Sequence, residues 1–145
     1  MKNDNELLEY IYQDAKMGTT TITTLIKTIN ETDNKIKHVI EDLLKEYESY
    51  LNQSEKLLKK NKINPKEKGI LANMGAFIGI KSEMMKDNSD SRIADMLIKG
   101  FSMGSLDLEK KISNFDEKAD KNILNLAKKM KKMQEKEIEL LKEYL

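Results

Sequence analysis

Apolar side chains recur along this chain in alternating steps of three and four residues, the period of a helix that buries one stripe. Leu8, Ile11, Ala15, Gly18, Ile22, Leu25 and Ile29 form the first such series. It follows Asn3 and Asp4, either of which can cap the leading backbone N–H groups. Gly18 falls on the stripe at a propensity cost of about 1 kcal/mol relative to Ala, which a close backbone approach would compensate. Thr19, Thr20, Thr21, Thr23 and Thr24 are poor helix formers, yet the periodic residues on both sides carry the helix through them. The polar run 30–34 then reads as a turn. A second stripe follows: Ile36, Ile40, Leu43, Tyr47, Tyr50 or Leu51, Ser54 and Leu57, ending near Asn61. The short link predicts an antiparallel hairpin over 5–61.

Residues 62–65 break the pattern, with Asn64 placed to cap a new helix and Pro65 at its first position. The segment 65–86 is apolar over much of its surface and holds Gly69, Gly75 and Gly79. It is poor in basic residues between 69 and 80, which favours a buried crossover helix over a membrane-surface one. After a turn at 87–90, a helix from Ser91 to Asn114 carries Ile93, Met96, Leu97, Gly100, Met103, Gly104, Leu108 and Ile112 or Phe115. Gly100 and Gly104 form a GxxxG step, but Asp95, Lys99 and Asp107 interrupt it, so it predicts close packing in a soluble bundle. A tight link at 116–118 leads to the last helix, Ala119 to Tyr144. Its stripe is Ile123, Leu126 or Ala127, Met130, Met133, Glu137, Leu140 or Leu141, and Tyr144. This second hairpin spans 91–144. Helices of about 25 residues are roughly 37 Å long. The predicted fold is all-α: a single domain over 1–145, a four-helix bundle of two antiparallel hairpins with an additional apolar crossover helix, the connectivity of ferritin-like proteins.

Composition changes this picture little but excludes a good deal. With 39% hydrophobic and 35% charged residues, the chain suits amphipathic helices rather than strands or membrane spans. No cysteine is present, which removes disulfides, thiolate metal sites and cysteine nucleophiles. The opening residues lack the apolar stretch of a secretory signal, and a cytoplasmic location is the expectation. Basic and acidic residues balance at 26 and 25, so no nucleic-acid partner is expected. The densest basic run, Lys128 to Lys132, is followed by Glu135, Glu137, Glu139 and Glu143 and reads as a solvated helix face.

Three stretches carry a family likeness: Leu8 and Tyr10 with Asp14-Ala-Lys-Met-Gly18, Lys68-Gly-x-x-Ala-x-Met74, and Ser91-x-Ile-Ala-Asp-Met-Leu-Ile-Lys-Gly-x-x-Met-Gly104. Through them the chain resembles ferritin-like helical bundle proteins of clostridia and related bacteria that have no assigned activity. The resemblance implies the bundle fold far more than any function.

The di-iron chemistry of ferritin-like bundles needs four inward carboxylates and two histidines, including a Glu-x-x-His on each of two helices. No Glu-x-x-His occurs here. The single histidine, His38, follows Lys35 by three residues and forms only the reversed pair with Glu41, on the flanks of the Ile36–Ile40–Leu43 stripe. The expected mid-helix inward positions are Ala15 and Gly18, Leu43 and Tyr47, Gly100 and Met103, and Met130 and Met133, none a hard-ligand residue. The nine methionines, among them the pairs Met130/Met133 and Met96/Met103, read as core filler rather than a thioether copper site. Asp14, Asp95 and Asp107 border apolar stripes, where burial would raise a carboxyl pKa. Neither a serine triad nor a phosphate loop is present. The expectation is therefore a non-catalytic, cofactor-free bundle that binds a protein partner or forms a homo-oligomer through apolar helix faces. The alternative is an atypical metal-binding or metal-storage protein using Asp14, His38, Glu41 and Asp107.

Overall fold

The structure, a computed structural model, describes residues 2–64, 86–115 and 120–145. Among them lie four helices: α1 (Lys2–Thr28), α2 (Lys37–Lys60), α3 (Asp90–Ser113) and α4 (Lys121–Leu141). A 3₁₀ turn, Lys142–Tyr144, follows the last of them. All the regular elements described are helical. The crossover helix expected over 65–86, its Asn64–Pro65 start and the link at 116–119 fall largely or wholly outside the described residues. α1 begins at Lys2, ahead of the start expected after a cap at Asn3 or Asp4.

Local chemistry explains the boundaries. The Thr19, Thr20, Thr23 and Thr28 hydroxyls donate to the carbonyls four residues earlier at 2.7–2.9 Å. Each threonine thus satisfies its own hydroxyl on the helix that it would otherwise weaken. Ser89 caps α3 by accepting from the Arg92 N–H at 3.2 Å, and Asp120 caps α4 by accepting from the Asn122 N–H at 2.8 Å. Asp90, in the first turn of α3, accepts from Asn34 Nδ2 at 2.8 Å and the Lys35 N–H at 3.0 Å. The start of α3 is thereby tied to the α1–α2 turn.

These contacts set the helix directions. Gly18 meets Tyr47, and the two lie about equally far from the turn near 32, so α1 and α2 run antiparallel. Gly104 meets Gln134 in the same way across the α3–α4 link. α3 starts beside Asn34 and further along places Lys111 over the ring of Tyr10, so it runs antiparallel to α1 and parallel to α2. The chain therefore leaves α2 at one end of the bundle and enters α3 at the other.

The core is continuous through all four helices. Leu8, Ile11, Ala15, Ile22, Leu25 and Ile29 are buried on the α1 side, with Ile36, Ile40, Leu43 and Tyr47 opposite. Ser54 occupies the α2 stripe by donating to the Leu51 carbonyl at 2.9 Å. Further along, the stripe passes to Leu58 rather than Leu57. On α4 the buried residues include Ile123, Leu126, Ala127, Met130, Met133 and Leu141, while Leu140 is exposed. Each large aliphatic or aromatic side chain covered this way contributes about 1.5–3 kcal/mol.

The expected inward positions on α3 are corrected. Gly100 and Met103 face outward, and Ile93, Ala94, Leu97, Phe101 and Leu108 are buried. Two apolar series compete on this helix, Met96–Gly100–Met103 and Leu97–Phe101–Leu108. The second carries the larger apolar area, and its Phe101 ring stacks on Tyr47 with centroids 5.9 Å apart.

Candidate functional site

At mid-bundle the core turns polar. Asp14 of α1, Tyr47 of α2 and Gln134 of α4 meet in the interior, with Gly18, Phe101 and Gly104 as their floor. Helix packing makes the space. A Cβ on Gly18 would stand 2.6 Å from two Tyr47 ring carbons, so the ring lies against the α1 backbone. A Cβ on Gly104 would stand 3.2 Å from Gln134 Nε2. The compensation expected for Gly18 is thus an aromatic face rather than a neighbouring backbone.

Gln134 Nε2 donates to Asp14 Oδ2 at 2.8 Å and, more weakly, to the Tyr47 hydroxyl at 3.4 Å. Gln134 Oε1 is buried with no hydrogen-bond partner among the described residues. Burial pushes the Asp14 carboxyl up to about 6. The Gln134 bond lowers it and the nearby Asp107 charge raises it further. Tyr47 and Tyr10 are likewise raised, first by burial and then by the Asp14 charge. Glu137, the stripe residue one helical turn along from Gln134, is covered and its carboxyl raised, chiefly by burial and then by Glu46. The cluster joins the two hairpins through one charged-to-neutral hydrogen bond. It holds a carboxyl, an amide and phenols, but no histidine, cysteine or lysine.

The four candidate metal residues are spread apart. Asp14 is interior, whereas His38, Glu41 and Asp107 are exposed. His38 sits by the α1–α2 turn, where Nδ1 donates to the Lys35 carbonyl at 3.0 Å. Asp107 acts on Asp14 through its charge alone. Among the described residues no three His, Cys, Asp or Glu side chains converge as a ligand set would require. The inward positions include Ala15, Gly18, Leu43, Tyr47, Phe101, Gly104, Met130 and Met133 together with two carboxylates, Asp14 and Glu137, and no histidine, so the described residues do not supply the four carboxylates and two histidines of a ferritin-type di-iron pair.

Three surface features lie outside this cluster. An open groove of about 350 Å³ between α2 and α4 is lined by Gln53, Lys56, Asn122, Asn125 and Lys129, without a carboxylate or nucleophile. In the basic run, Lys131 pairs with Glu135 at 2.6 Å, while Lys128, Lys129 and Lys132 are exposed. The outer face of α3 is different in kind. Met103 is 69% exposed and Leu106 52% exposed, and among the described residues nothing lies within 4 Å of a Cβ placed on Gly100. At helical spacing these three residues form one stripe, bordered by Lys99, Asp107 and Lys110.

The sequence pattern pointed to Gly18, Tyr47 and Asp14 but missed Gln134, whose neighbours Met133 and Glu137 carried the apparent stripe. A polar residue one position off an apolar series gives no signal of its own. No described helix is long and apolar enough to cross a membrane. Compared with known proteins, the chain matches no family model, no curated protein and no solved structure.

Proposed function

We propose that this chain is a non-catalytic, metal-free bundle of ferritin-like connectivity that works by self-association through the outer face of α3. The observation that carries the reading is the exposed Gly100–Met103–Leu106 stripe. Two large apolar side chains left in water beside an uncovered glycine are a poor surface for a monomer and a good one for a helix contact. The interior supports the non-catalytic half of the reading, because the buried cluster supplies no nucleophile with an adjacent base. The direction of α3 relative to α2 supports the ferritin-like order, since the chain must travel the length of the bundle between them.

Sedimentation equilibrium from about 10 μM to about 1 mM tests the reading over the affinity range of a small interface. The weight-average mass rises from 16.8 kDa toward twice that value, and Met103→Lys with Leu106→Lys abolishes the rise. A mass of 16.8 kDa at every concentration refutes self-association. Stoichiometric iron, manganese, zinc or copper in the purified protein, measured by elemental analysis, refutes the metal-free assignment.

A further inference from the structure

We infer that the surface received by the α3 stripe is the same stripe of a second copy, laid antiparallel about a two-fold axis through Met103. The inference rests on the self-association proposed above and specifies its geometry. In a two-fold contact, a residue that meets a partner position is itself met by that position's counterpart. Around Met103, therefore, each residue on one side of the axis faces its mirror position on the other helix.

Shape complementarity is the first support. Leu106, 52% exposed, faces Gly100 of the copy, where no described residue lies within 4 Å of the absent Cβ. The same Leu-on-Gly contact recurs on the other side of the axis, and the two Met103 side chains meet between them. Met96 faces the aliphatic stem of Lys110, a covering that a lysine gives while keeping its ammonium in water.

Charge is the second and independent support. Lys99 faces Asp107 on both sides of the axis, so the charged pairs along this stripe attract. Lys99 is 71% exposed at its side chain, and although it donates to Asp95 of its own helix at 3.0 Å, its ammonium keeps further N–H donors for a second carboxylate. A parallel pairing would set Lys99 on Lys99, Asp107 on Asp107 and Lys110 on Lys110. The charges thus select the antiparallel register.

The chain has no cysteine, which makes a single substitution diagnostic. Under mild oxidation, Met103→Cys yields a disulfide-linked dimer on a non-reducing gel, because the axis brings its two Cβ atoms together. Ser113→Cys, at the far end of α3, does not. Lys99→Glu and Asp107→Lys each weaken dimerisation by about three- to tenfold, two pairs being lost per dimer. The double variant returns to within about twofold of the unmodified protein. Positions 99 and 107 are too far apart to touch on one helix, so that recovery arises only between chains. Circular dichroism confirms that the variants stay helical. A dimer whose Met103→Cys form does not cross-link, or whose charge swap does not recover, overturns this register and leaves self-association standing. A chain that stays monomeric overturns both.

Discussion

Asp14→Asn tests the energetics of the buried cluster most directly. The unfolded chain releases the Asp14 proton near its ordinary 3.8, and the folded chain near 6. Between those values the folded state holds the extra proton, so stability is full below about pH 4 and falls as pH rises through about 6. At about 1.4 kcal/mol per unit of pKa, the gap amounts to roughly 3 kcal/mol that the ionised carboxylate costs the fold at neutral pH. Asparagine keeps the shape without the charge, and its carbonyl still accepts from Gln134. Its two new N–H donors need partners, which returns about 1 kcal/mol of the gain. The variant is therefore expected to be more stable than the unmodified protein by about 2 kcal/mol at pH 7.5, and equal within about 1 kcal/mol at pH 4. Urea unfolding at several pH values measures the difference. The other carboxylates titrate in both proteins and largely cancel. A difference that does not change between pH 4 and pH 7.5 would refute the reasoning, as would a variant less stable at pH 7.5. Either result would mean that the folded state solvates Asp14 far better than its burial beside Gln134 indicates.

Two glycines on the same bundle should respond in opposite directions to the same substitution. Gly18→Ala drives a Cβ into the Tyr47 ring, which Phe101 and Gln134 hold from other sides, and destabilises by about 1–3 kcal/mol in urea unfolding. Gly100→Ala meets empty space and stabilises the dilute monomer by about 1 kcal/mol through helix propensity. Gln134→Met removes the hydrogen bond that holds the Asp14 carboxyl down, so that carboxyl should titrate above about 6 when followed by carbon NMR. A titration unchanged or moved downward would show that Gln134 does not govern it.

The helices themselves were legible in the three-and-four spacing, since a helix must place its apolar residues on one side to bury them. That periodicity located Leu8 to Ile29, Ile36 to Tyr47 and Ile123 to Met133 on buried stripes. The turn at 30–34 and the end of α2 near Asn61 were equally visible as polar chemistry. α3 was not decided this way. Its apolar residues are dense enough to permit two stripes about 100° apart, and local spacing weighs a methionine like a phenylalanine. Only contact with Tyr47 selects Phe101 for the interior and turns Gly100 and Met103 to the surface. The same selection created the outward stripe on which the proposed function depends.

The buried cluster divides in the same manner. Sequence marked Asp14 as a boundary residue with a reason to titrate high, and Gly18 as a position in need of a close neighbour. It contained no way to pair Asp14 with Gln134, which lies 120 residues away, because a hydrogen bond between two hairpins depends on how they dock. What the sequence by itself determined is the four described helices, most of their buried faces apart from that of α3, and the absence of a Glu-x-x-His ligand pair. What only the tertiary structure decided is which face of α3 turns inward and which polar groups meet at the centre. Both follow from packing between helices, where area and shape are compared across elements that local periodicity treats one at a time.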